Sequence, residues 1–127
     1  MGYSPHEMAG LLIGYGDDHH LFAVMNDPCK DGLCLLLMVT TIRGHRRQDN
    51  TCVLNAGDHT FIKHPSYIAY RIANLSRGDH IGSMVDKHLY IKKDDWDPVV
   101  FNKIANGIYV SEDTTLGVIK YARKNGI

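Results

Sequence analysis

The chain has 127 residues, which is room for one domain with a real core and not for two. Its 14 Lys and Arg offset 14 Asp and Glu, so no global field draws it onto nucleic acid or an anionic membrane, and any nucleic-acid site has to be a local patch. Three cysteines, Cys29, Cys34 and Cys52, without a close CxxC pair, point to free thiols and a reducing compartment.

The chain starts with "MGYSPHEMAGLLIGYG", which has neither the basic head and long apolar run of a secretion signal nor the Ser/Thr spacing of a myristoylation signal. No apolar run anywhere approaches the roughly 20 residues of a spanning helix. The expectation is a soluble, cytoplasmic protein with no membrane partner. "HLFAVMN" (20–26) predicts a short strand, ended by the turn formers of "NDPCKDG". "LCLLLMVTTI" (33–42) is almost continuously apolar, as a central strand covered on both faces would be. A basic loop, "RGHRRQDN" (43–50), leads to a strand at "TCVLNAG" (51–57).

Pro65 marks the start of "SYIAYRIANL" (66–75), read as one strand with Ile68, Tyr70 and Ile72 on one face and Tyr67, Ala69, Arg71 and Ala73 on the other. Gly-Asp recurs at 16, 57 and 78 and reads each time as a turn. "KHLYIK" (87–92) is an edge strand guarded by lysines. Two helices close the chain. The first, in "DDWDPVVFNKIANGI", takes Asp95 or Asp97 as N-cap, Pro98 in its first turn and Gly107 near its stop, with Trp96 as a staple at its start. The second, in "SEDTTLGVIKYARKNGI", takes Ser111 or Asp113 as cap and ends in a basic turn. About five strands followed by helices make an α+β class with a small, largely antiparallel, partly closed sheet.

In the order "HLFAVMN", "LLLMVTT", "IRGHRRQDN", "TCVLNAG", "HPSYIAYRIANL" and "DPVVFNKIANGI", these segments resemble the PemK/MazF-like toxin family over roughly residues 15 to 110. The resemblance implies a single domain (1–127) built on an SH3-like barrel with C-terminal helices, the helix at about 112–124 being extra. It also implies a metal-independent endoribonuclease without cofactors, acting on single-stranded RNA, a homodimer, and an antitoxin as partner. Thr40, with Thr41 as the alternative register, matches the family's threonine. Where the family has an Arg-Pro pair this chain has His20, or His19, followed by Leu21. A histidine there can act as a general base but cannot clamp phosphate as a guanidinium does. The cation must then come from elsewhere, and Arg43, Arg46 and Arg47 are the nearest suppliers, with His45, His64 and Arg71 as further RNA contacts. The alternative is a catalytically silent SH3-like module that binds nucleic acid or a protein in a phage or mobile element.

Eight histidines are an excess, and His20, His59 and His64 are the candidates for acid/base work near neutral pH. No HxH, HExxH or Cys/His pair has ligand spacing, so no metal site is predicted; a metal-dependent hydrolase on the Asp/His turns stays a third reading. Of Tyr67 and Tyr70, at most one can stack on a base with Arg71 while the other packs inward.

Overall fold

A computed structural model describes residues 2–15 and 18–127. The first Gly-Asp turn, at 16–17, lies outside the described residues. The elements are β1 (Gly10–Tyr15), β2 (Asp18–Val24), β3 (Leu33–Thr41), β4 (Val53–Leu54), β5 (Ser66–Ile68), a 3-10 turn (Tyr70–Ile72), β6 (Asn74–Arg77), α1 (Gly78–Asp86), β7 (Ile91–Lys93), α2 (Pro98–Val110) and α3 (Leu116–Lys124). The fold is α+β. All seven strands join one open antiparallel sheet in the order β4-β5-β3-β2-β1-β7, with β6 also on β3.

β3 is the central strand its composition predicts, because its two faces feed two separate cores. Leu35, Leu37 and Val39 join Leu21, Ala23, Met25 and the inner faces of α2 and α3. Cys34 and Leu36 join Ala9, Leu11, Val24 and Ile81 of α1 on the other face. Burying each leucine contributes about 1.5–3 kcal/mol, which is why a run without polar alternation is stable only between two layers. Cys34 and Cys52 are buried free thiols, and burial pushes Cys34 up to about 11.

Residues 66–75 are not one strand. Val39 pairs with Ile68, and continuing that register would set Leu36 opposite Arg71; it faces Asn74 instead, three residues later. The extra residues form the 3-10 turn, and the gain is Tyr70. Its ring is fully buried and its hydroxyl donates to the Ile104 carbonyl at 2.7 Å, with Gly107 of α2 leaving the space: a Cβ there would lie 1.9 Å from the Tyr70 oxygen. Gly107, near the stop of α2 as expected, is therefore also a notch in its last turn. Burial, then Cys52 beside it, pushes the Tyr70 phenol far above its ordinary range. The turn also moves Ile72 to the surface, off the apolar face that strict alternation assigns it.

Other boundaries differ from the sequence-based expectation. The strand at 51–57 shrinks to Val53–Leu54, and that at 87–92 to Ile91–Lys93, an edge strand as predicted. β1 was not foreseen, and Gly78-Asp79 opens a helix and not a simple turn. α1 is legible only in three dimensions, because its buried face is Gly78, Ile81 and Gly82, and a Cβ at Gly82 would lie 2.4 Å from the Tyr3 carbonyl crossing it. α2 starts as predicted, with the Asp97 carboxylate accepting from the Val99 and Val100 N–H groups and Pro98 at its first turn. α3 is capped by Thr115, not by Ser111 or Asp113. Trp96 is buried beside the start of α2, its backbone N–H donating to the Met8 carbonyl at 2.8 Å and its indole N–H to that of Phe22 at 3.5 Å. Among the described residues, no helix is long and apolar enough to cross a membrane.

Candidate functional site

β2 and β3 pair as far as Phe22 and Met38. Two residues further along each strand stand His20 and Thr40, and beyond the last pair a cleft of 370 Å³ opens. Buried Leu21, Val39 and Ile62 line its apolar part. Arg43 and Arg46 enter from the basic loop, and Phe61, Lys63, His64 and Ser66 from the connection that precedes β5.

His20 is held by two acceptors. Its Nδ1 lies 3.4 Å from the Val39 carbonyl and its Nε2 3.3 Å from the Asp18 carboxylate. Both contacts are long, so they orient the ring without closing it off from the cleft. The Thr40 hydroxyl is buried and has no hydrogen-bond partner among the described residues. An unpartnered buried hydroxyl costs about 1–3 kcal/mol, and the Tyr3 and Thr114 hydroxyls share this condition; of the three, only Thr40 belongs to a residue that lines the cleft. Arg43, Arg46 and Lys63 have no carboxylate partner among the described residues, so the cleft carries uncompensated positive charge although the chain as a whole is neutral.

The loop that carries Arg43 and Arg46 is tied down at its far end. Arg47 forms a two-pronged bond to Asp113 at 2.8 and 3.1 Å, and the Ser111 hydroxyl donates to Asp49 at 2.5 Å. Burial works against the Asp49 carboxylate, but the hydrogen bonds from Ser111 and Thr51 outweigh it and its pKa is lowered. The connection between α2 and α3 thus serves as the post for the basic loop.

Of the residues singled out from sequence, His19, His20, Thr40, Thr41, Arg43, Arg46 and His64 line this one cleft. Others do not. Arg47 is paired with Asp113 and lines an adjoining cavity of 50 Å³ with Tyr67, Thr40, Thr41, Arg43 and Arg46; His45 is exposed outside the cleft, and Arg71 is exposed on the 3-10 turn. His59 is not a free acid/base group either. It is buried against Trp96, with Nδ1 accepting from the Phe61 N–H at 3.0 Å and Nε2 donating to the Asp94 carbonyl at 2.7 Å, so one neutral tautomer is locked in place. Tyr67, opposite Thr40 in the ladder, is half-buried, whereas Tyr70 belongs to the core.

Asp18, Phe61, Lys63 and Ser66 were not named as site residues from the sequence. The Asp next to two histidines was one local signal, and the run of polar residues at 58–66 entering the strand, which holds Lys63 and Ser66, was another; the course of that connection is set by long-range contacts. Among the described residues, no three His, Cys, Asp or Glu side chains gather as metal ligands.

No protein-family model matches the chain, and no curated protein matches it. The chemistry of the cleft therefore rests on the residues that line it. They supply an imidazole beside a carboxylate, two further imidazoles, a buried hydroxyl and three cations without a carboxylate partner among the described residues, with an apolar floor that strengthens the field of each charge.

Proposed function

We propose that the protein is an endoribonuclease of the PemK/MazF kind, an SH3-like barrel with added helices that cleaves single-stranded RNA in the cleft between the ends of β2 and β3. In this reading His20 removes the proton from a ribose 2'-hydroxyl. The 2'-oxygen then attacks the adjacent phosphorus, the bond from phosphorus to the 5'-oxygen breaks, and His64 protonates the departing 5'-oxygen. The products are a 2',3'-cyclic phosphate and a 5'-hydroxyl, and the route needs only an acid, a base and charge at the phosphate. Arg43, Arg46 and Lys63 face the charge that builds on the non-bridging oxygens, and the Thr40 hydroxyl donates to one of them. Asp18 orients His20. A homodimer, an antitoxin partner and a cytoplasmic setting belong to the same proposal.

The single observation that carries the reading is the convergence of His20, His64, the unpartnered Thr40 hydroxyl and the unpaired Arg43 and Arg46 on one cleft. The alternative, a silent module that binds RNA without cutting it, is favoured by the histidine where the family has its Arg-Pro pair. Both readings put RNA in the same place.

The deciding measurement is cleavage of a long single-stranded RNA in excess EDTA. Cleavage by the wild-type protein, reduced about 10²–10⁴-fold in His20→Ala and about 10²–10³-fold in Thr40→Ala, is the expected result. RNA bound and left intact by the wild-type protein would establish the binding module instead.

A further inference from the structure

Phe61, 38% exposed, lines the cleft from a turn that is tied by hydrogen bonds to His59 and Asp94. The Phe61 N–H is bound to His59 Nδ1, the next N–H donates to the His59 carbonyl at 3.0 Å, and the Thr60 hydroxyl donates to the Asp94 carboxylate at 2.8 Å. His59 is itself clamped by the Asp94 carbonyl and packed on Trp96 with ring centres 4.7 Å apart. The Lys93 ammonium sits over the Phe61 ring, 5.2 Å from its centre, and holds its orientation.

A rigidly mounted, half-open aromatic ring beside a cationic, hydrogen-bonding cleft is the arrangement that binds an unstacked base next to a phosphate. Apart from the imidazoles, Phe61 is the only aromatic side chain that lines this cleft among the described residues. We infer that Phe61 is the nucleobase platform of the site, stacking a base that flanks the phosphate held by Arg43 and Arg46. The inference rests on the reading of the cleft as an RNA site and adds to it where the base goes. Stacking is tolerant of base identity, so the platform predicts affinity for single strands over duplex, whose bases are already stacked.

The test is binding of a short 2'-O-methyl oligoribonucleotide, which cannot be cleaved by its own 2'-oxygen, measured by anisotropy over a range of salt. Phe61→Leu is expected to weaken binding about tenfold while leaving the salt dependence unchanged, because it removes a stacking face and no charge. Phe61→Trp is expected to restore affinity, with the new indole emission quenched on binding against the constant background of buried Trp96. Walking an abasic position along the oligonucleotide is expected to find one site at which the wild-type and Phe61→Leu proteins bind alike. Equal affinity of the wild-type and Phe61→Leu proteins for the intact strand, with binding lost in Arg43→Ala/Arg46→Ala, would overturn the platform and leave the RNA site standing. Absence of salt-dependent binding by the wild-type protein would overturn both.

Discussion

The two ends of β3 are finished in opposite ways. At its start the network of Asn26 and Tyr121 is closed. Asn26, buried, accepts from the Leu35 N–H at 2.8 Å and donates to the Tyr121 hydroxyl and the Asp27 carbonyl, both at 2.9 Å, and Tyr121 in turn donates to the Leu33 carbonyl at 2.9 Å. At its far end the Thr40 hydroxyl is buried without a partner, two arginines point at no carboxylate among the described residues, and His20 keeps two long contacts. A closed network secures structure, because each member would cost free energy if left alone. An open one costs stability and leaves hydrogen-bonding capacity for something that arrives from solvent. The same contrast separates His59, with both nitrogens committed to backbone, from His20.

Substitutions at the two ends sharpen this contrast. Asn26→Ala strands the buried Leu35 N–H and takes a partner from Tyr121, so it is expected to cost about 3 kcal/mol, read as a lower urea midpoint with an unchanged slope. Thr40→Val, nearly the same shape without the hydroxyl, is expected to hold stability constant or raise it by about 1 kcal/mol, since nothing in the protein loses a bond. A clear loss of stability in Thr40→Val would mean that its hydroxyl is answered within the fold, and the two ends would no longer differ.

The smallest effect is at the tie of the basic loop. Asp49 has a lowered pKa in the folded protein, so its contribution to stability is fully present above its unfolded value, about 3.9, and is lost as the pH falls through the lower folded value. Thermal melts on the acid side of about pH 4 should therefore fall less steeply for Asp49→Asn than for the wild-type protein. Because this carboxylate is only partly buried, the difference is expected to be a fraction of a kcal/mol.

Part of the site was legible in the linear chain because it lies on, or directly beside, a long apolar strand. Once β3 is placed, Thr40 and Thr41 fall at its end, Arg43 and Arg46 follow within a few residues, and His20 occupies the neighbouring strand. Phe61 and Lys63 had no such frame, since the segment between β4 and β5 has no periodicity and is held by His59, Asp94 and Trp96, far apart in the sequence. The pairing of Arg47 was not legible for a related reason. A charge run does not say which of its members will find a carboxylate, and Asp113 lies 66 residues away.

What the sequence by itself determined is therefore the local physics: the double-sided apolar strand, the Asp97-Pro98 helix start, the free cysteines and the concentration of cations after Thr40. Only the tertiary structure decided that residues 66–75 break to send Tyr70 into the notch at Gly107, that Gly82 lets α1 approach the chain's N-terminal segment, and which polar groups are answered and which are left open. Propensity and patterning act within a few residues of chain. Steric fit and hydrogen-bond closure depend on atoms brought together from distant positions, and no window of sequence contains both partners.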